Sequence, residues 1–267
     1  MADDAFITLR TVDNFVKGYG LTWNVSERVQ TYTHPLWMFL LSAVYAITQE
    51  AYLTTLVVSL IVSFLAAVLA VNRVPRWSAG ILVLACLVSS KAYVDYSTSG
   101  LENPLTHLIL AGFLWTLTRN GRIDGKMFGR LCLLAALGTL NRMDTLLLFL
   151  PSLILVGRNL DFKEVARRVG TGFAPLIGWF AFSTIYYGFP FPNTAYAKLK
   201  TGIPTSDMIE QGLRYVHSTW IHDPLTLVLI VAGLGVASIR RDRVSVGLSA
   251  GIVLYLVYVV RVGGDFM

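Results

Sequence analysis

The sequence predicts an all-α fold, a polytopic transmembrane helical bundle of about eight or nine helical segments. Three observations predict it. The 267 residues are 55% hydrophobic and only 14% charged, whereas a soluble chain carries about a quarter of its residues as charges. The mean hydropathy is +0.61. The charges lie in short clusters between long apolar runs, which are too long and too uniformly apolar for the alternation of a membrane β-barrel.

Taken in order, the runs cover 35–48, 52–71, 77–94, 103–118, 128–140, 145–157, 169–187, 224–238 and 244–260. Several fall short of the roughly 20 residues that cross a bilayer straight, so broken or half-inserted helices are expected among them. His34-Pro35 marks a break at the head of the first run, as the residue before a proline leaves the helical region. That run fits a re-entrant or interfacial helix better than a full crossing. Arg73 and Arg76; Arg119, Arg122 and Lys126; Arg158, Lys163, Arg167 and Arg168; and Arg240, Arg241 and Arg243 occupy four alternating loops, and Lys and Arg of this kind mark cytoplasmic loops. The remaining polar stretches, 97–103, 141–144, 188–223 and 261–267, then face outward. The chain divides into a loop at 1–34 and a single helical module at 35–267.

The net charge of +6 and pI near 9.4 come from those loops rather than from a continuous basic patch, which argues against nucleic acid. Cys86 and Cys132 lie inside apolar runs without CxxC spacing and read as packing residues.

Chemistry is expected in five outward clusters. Asp3 and Asp4 are adjacent carboxylates that suit a general base for an acceptor hydroxyl, or a pair holding a divalent cation against a phosphate; a solvated acidic start is the structural alternative. Arg10 and His34 follow as acceptor or loop contacts. Glu102, in Ser99-Gly100-Leu101-Glu102, stands at the mouth of a run, either assisting the pair or capping a helix. In Asn141-Arg142-Met143-Asp144 an ion pair sits between two apolar helices, a costly place for charge. The turn from Tyr186 to Lys200 combines aromatic rings, prolines, Asn193 and Lys198, suited to an isoprenoid tail and a phosphate, or to an aromatic belt with snorkelling lysines. Arg261, Gly263, Gly264 and Asp265 close the list, the arginine suiting phosphate or sugar.

In this order the clusters resemble the GT-C superfamily of membrane glycosyltransferases, specifically its terminal arabinofuranosyltransferase-like and flagellar motor control-like branch. The resemblance rests on Asp-Asp-Ala-Phe-Ile at 3–7, Gly-Tyr-Gly-Leu-x-x-Asn at 18–24 with Tyr19 for the usual His, and Glu-x-Val-x-x-Tyr-Thr-His-Pro-Leu-Trp at 27–37 with His34 for Asn. It continues through Ser-Gly-Leu-Glu at 99–102, Arg-Met-Asp at 142–144 with Met143 for proline, Tyr-Gly-x-x-x-Pro-Asn-Thr-x-Tyr-Ala-Lys at 187–198, and Val-Gly-Gly-Asp-Phe-Met at 262–267. It implies a polyprenyl-phosphate-linked sugar as donor, a glycan, lipid or protein hydroxyl as acceptor, and membrane lipid around a module of the cell inner membrane whose active face is extracytoplasmic. It also implies Asp3 or Asp4 as base, Glu102 as secondary acid, and Arg142, Asp144, Asn193, Lys198, Arg261 and Asp265 around the donor. In such proteins a helix precedes the Asp-Asp pair and more chain follows the Gly-Gly-Asp, so the sequence reads as the central part of a catalytic module. Two other classes remain: a non-catalytic assembly or motility factor on the same fold, and a transporter, for which midplane charges and inverted symmetry are the missing marks.

Overall fold

Residue character along α3 (Ala51–Val71) decides how the molecule meets its surroundings. Leu53, Val57, Leu60, Ile61 and Phe64 share one face and are exposed, while Thr54, Thr55, Ser59 and Ser63 are buried. This is the reverse of a helix on a soluble protein, and it is what lipid outside and small polar contacts inside require. A computed structural model describes residues 1–119, 123–199 and 202–264, without the side chains of 197–199. Among the described residues there are fourteen α-helices, a 3-10 turn at Met143–Thr145 and no strand.

Residues 1–34 are not loop throughout. They open with α1 (Asp4–Val16), which buries Ala5, Thr8, Leu9 and Val12, the spacing of one helical face. Asp3 caps it, and Asp4 lies in its first turn, where a carboxylate meets the positive helix end. The expected run at 35–48 is α2 (Pro35–Thr48), with Pro35 in its first turn and Gln49 in the left-handed region at its end. Glu50 then caps α3 by accepting from the Tyr52 and Leu53 amides at 3.0 and 2.6 Å. Trp37 and Met38 of α2 are fully buried against Leu9 and Val12.

The run at 77–94 is two helices, α4 (Trp77–Ser89) and α5 (Lys91–Tyr96), because Ser90 takes an extended backbone and caps the second. Next come α6 (Asn103–Leu117), α7 (Gly125–Asn141) and α8 (Leu146–Gly157), packed around Phe113, Phe128, Leu131 and Phe149. The run at 169–187 is the second limb of a bent pair, α9 (Phe162–Gly172) and α10 (Ala174–Tyr187), which meet at 50°. Beyond α11 (Asn193–Leu199), α12 (Thr205–His222) turns through 106° into α13 (Pro224–Arg240). Asp223 makes that joint by accepting from Thr226 Oγ1 at 2.8 Å and from the Ala92 amide at 3.0 Å. The last helix is α14 (Arg243–Arg261). Its Gly247 and Gly251 allow α8 to approach so closely that a Cβ there would collide with Ser152 and with the Leu148 backbone.

Most of the expected runs are single helices, but the run at 77–94 is split and α1, α11 and α12 lie outside the runs, so the described residues hold fourteen α-helices in place of eight or nine. Two helices, Ala51–Val71 and Arg243–Arg261, are long and apolar enough to cross a membrane alone, and up to four spans result if each bent pair counts as one. The reason is the polar and glycine or proline residues, such as Ser90, Pro175 and Asp223-Pro224, that interrupt the runs.

The helices have two distinct ends. Arg73 donates to Thr118 Oγ1 at 2.7 Å, so α3 and α6 finish side by side. Back from there α6, of 15 residues, rises about 22 Å to Glu102, and α3, of 21 residues, about 31 Å to Glu50. His34, at the start of α2, touches Glu102. Both ends of α2 therefore lie toward the end of the bundle away from Arg73.

Candidate active site

At the end opposite Arg73, a ladder of polar side chains joins five helices. Thr8 Oγ1 of α1 lies 2.7 Å from His34 Nε2. His34 Nδ1 lies 3.2 Å from Glu102 Oε2, and Arg142 NH1 lies 3.4 Å from Glu102 Oε1. Arg142 Nε donates to both Asp144 oxygens at 3.0 and 3.1 Å, and Tyr255 of α14 donates to Asp144 Oδ2 at 3.3 Å.

The ionisable rungs from His34 to Asp144 are placed by helix boundaries, whereas Thr8 and Tyr255 lie within α1 and α14. His34 precedes the proline that starts α2, Glu102 precedes α6, and Arg142 breaks from helical geometry between α7 and the 3-10 turn that carries Asp144. Helix ends expose backbone groups that need partners, so polar residues gather there even inside an apolar bundle. Asn141, wholly buried, donates to the Glu102 carbonyl and to Thr106 Oγ1, both at 2.9 Å, tying α7 to α6.

Burial pushes His34 below its ordinary range, while Glu102 and Asp4 pull the other way and Arg142 adds to the lowering. The imidazole is neutral on balance. One tautomer then suits both ring nitrogens, with Nδ1–H facing the Glu102 carboxylate at 3.2 Å and Thr33 Oγ1 at 3.3 Å and Nε2 accepting from the Thr8 hydroxyl. Glu102 is nearly inaccessible, at 6% exposure, and its carboxylate receives one neutral donor and one cation.

Asp3 and Asp4 are exposed beside this ladder. The Ala2 amide donates to the Ser99 carbonyl at 2.7 Å, and Trp37 Nε1 donates to the Gly100 carbonyl at 3.0 Å. Gly100, at φ +81°, packs so closely on Met1 and Ala5 that a Cβ would crowd both. The Ser-Gly-Leu-Glu stretch is therefore the seat on which the start of α1 rests. Among the described residues no three His, Cys, Asp or Glu side chains gather in an arrangement that could hold a metal ion.

The other predicted residues lie apart from the ladder. Arg10 donates to the Trp23 carbonyl at 2.9 Å and stacks over the Trp23 ring at 4.6 Å; it straps α1 to the loop after it. Asn193 starts α11, and its amide donates to the Gln30 carbonyl at 3.3 Å. Around it, Tyr187 donates to the Leu21 carbonyl at 2.7 Å, Tyr32 and Tyr187 hydroxyls meet at 2.9 Å, and Arg28 stacks on Tyr186. The aromatic turn thus clamps the 18–32 loop. Arg261 is exposed at the end of α14, six residues beyond Tyr255, or about 9 Å along the axis. The Lys198 side chain and Asp265 lie outside the described residues. Thr8 and Tyr255 carry no signal in the sequence, since a lone Thr or Tyr on a helix is ordinary packing.

Beside His34, between α2 and α10, lies an apolar cavity of about 580 Å³ whose walls include Pro35, Leu36, Phe39, Trp179, Phe182 and Tyr186. The arrangement as a whole is that of a helical membrane protein whose buried charges converge at one end, next to an apolar cavity. Over its whole length the chain is 29% identical to the terminal beta-(1->2)-arabinofuranosyltransferase of Mycobacterium tuberculosis, covering 49% of that protein. It is 26% identical to the enzyme of the same name from Corynebacterium glutamicum, covering 45%. The chain thus spans about half the length of these curated relatives, both named as glycosyltransferases. No family model matches it, and no solved structure matches it.

Proposed function

We infer that this chain forms the membrane-embedded catalytic part of a glycosyltransferase that moves a sugar from a polyprenyl-phosphate donor to an acceptor hydroxyl on the extracytoplasmic side. The observation that carries this reading is the meeting, at one end of the bundle, of Asp4, His34, Glu102, Arg142 and Asp144 beside an apolar cavity. An arabinofuranosyl donor is the first to test, given the names of the two relatives.

Asp4 or Asp3 takes the proton of the acceptor hydroxyl as its oxygen attacks the anomeric carbon. The bond from that carbon to the phosphate oxygen breaks, and polyprenyl phosphate leaves with the electron pair. Arg142, Lys198 and Arg261 stabilise the charge that grows on the phosphate, Asn193 and Asp265 contact the donor, and the tail lies along the cavity between α2 and α10. Arg142 is already engaged by Glu102 and Asp144, which fixes its guanidinium in place; its side chain remains 28% exposed. Glu102, held between His34 and Arg142, sets the position of α1 and its carboxylates.

The test is transfer of radiolabelled sugar from a synthetic polyprenyl-phosphate donor by the complete protein. Asp4→Asn combined with Asp3→Asn is expected to lower the rate by about 100-fold or more, with unchanged thermal unfolding. Full transfer by the double variant would rule out the base. Absence of transfer by the unaltered protein from every lipid donor, with a partner still bound, would favour an assembly factor on this fold.

A further inference from the structure

A second cavity lies at the other end of the bundle, in the cleft between the ends of α6 and α8 and the start of α14. Its volume is about 610 Å³. Leu117, Leu155, Val156 and Val244 give it apolar walls, and Asn159 and Arg243 stand among its lining residues. Arg243 donates to the Asn159 side-chain oxygen, so its guanidinium is held beside the cleft. Ser152, only 2% exposed, is also in the wall, and its hydroxyl has no hydrogen-bond partner. A buried hydroxyl without a partner is costly, and a carbonyl entering the cleft would relieve that cost.

The charge around this cleft is one-sided. The four loops at 72–76, 118–130, 157–168 and 240–243 hold thirteen of the 22 Lys and Arg and four of the 16 Asp and Glu, a net +9 that leaves −3 for the rest of the chain. Between them runs α9, with Phe162 exposed at 82% and Lys163 and Arg167 exposed on the same short helix, the pattern of a helix lying at an anionic membrane surface.

We propose that this cleft binds one anionic phospholipid of the leaflet at the basic end, with its phosphate at Arg243 and Asn159 and an acyl chain along Leu117, Leu155, Val156 and Val244. Ser152 packs against Gly247, one helical turn or about 6 Å from Arg243. That is the depth at which a glycerol ester carbonyl follows its phosphate, so the ester accepts from the Ser152 hydroxyl. An isoprenoid phosphate has no carboxylic ester carbonyl to offer, and a soluble anion leaves the apolar walls bare. The inference is independent of the chemistry proposed for the opposite end.

Native mass spectrometry of the full chain in detergent, titrated with phosphatidylglycerol, phosphatidylcholine and undecaprenyl phosphate, tests it. Phosphatidylglycerol is expected to be retained about fivefold better than phosphatidylcholine, the worth of about one well-placed cation. Arg243→Gln reduces it to the phosphatidylcholine level, and Val244→Phe, which fills the cleft, displaces both; monodisperse elution reports folding. Should Val244→Phe aggregate, Arg243→Gln decides alone. Equal retention of the two phospholipids, preference for undecaprenyl phosphate, or unaltered phosphatidylglycerol binding by the folded variants would overturn the proposal.

Discussion

The two ends of the bundle use the same residue types in opposite ways. At one end, His34, Glu102, Arg142 and Asp144 come from three different helix boundaries and are turned toward each other, largely out of solvent. At the other, Glu164 pairs with Arg167 and Arg168 of its own helix, and the surplus of cations stays exposed. The difference teaches that charge alone does not mark the site. Position decides: a carboxylate held by partners from distant parts of the chain organises the fold around itself, whereas one paired within a single turn is dispensable.

The sharpest way to break this comparison is Glu102→Ala. It leaves Arg142 with one partner fewer and His34 without its acceptor in a buried setting, and is expected to cost about 3–5 kcal/mol, read by denaturant unfolding in detergent. A loss near zero would mean the ladder does not hold the helices together.

A smaller effect is expected from pH. The folded His34 titrates below its ordinary value near 6.5, chiefly through burial, so under acid conditions the unfolded chain takes up a proton that the folded chain refuses. Stability from this residue is complete above that value and falls as pH drops through 6.5 toward the folded pKa. Thermal unfolding between about pH 7.5 and about pH 5, an interval that spans the ordinary imidazole range, should show the decline, and His34→Asn should flatten it.

At the basic end Glu164→Ala is expected to leave unfolding unchanged within error, because the pair is solvent-screened. A clear loss there would erase the contrast between the ends.

Much of the candidate site was legible before any coordinates. Asp3, Asp4, His34, Glu102, Arg142 and Asp144 stand out because charged residues are costly beside apolar runs, and the four basic loops assign themselves to one end. The start of α1 was hidden by its polar composition, and the breaks at Ser90 and Phe173 by the continuous apolar runs around them. Arg10 and Arg261 look alike in the sequence, yet one straps a loop and the other is exposed at a helix end.

By itself, then, the sequence determined an α-helical membrane protein with a surplus of cations in four alternating loops, because lipid forbids an unpaired backbone and hydropathy is additive along the chain. Only the tertiary structure decided that Thr8, His34, Glu102, Arg142, Asp144 and Tyr255 form one ladder. Thr8 and His34 are 26 residues apart, Glu102 and Arg142 are 40, and Asp144 and Tyr255 are 111. Local periodicity carries no information over such distances; the packing of α2, α6, α7 and α14 supplies it.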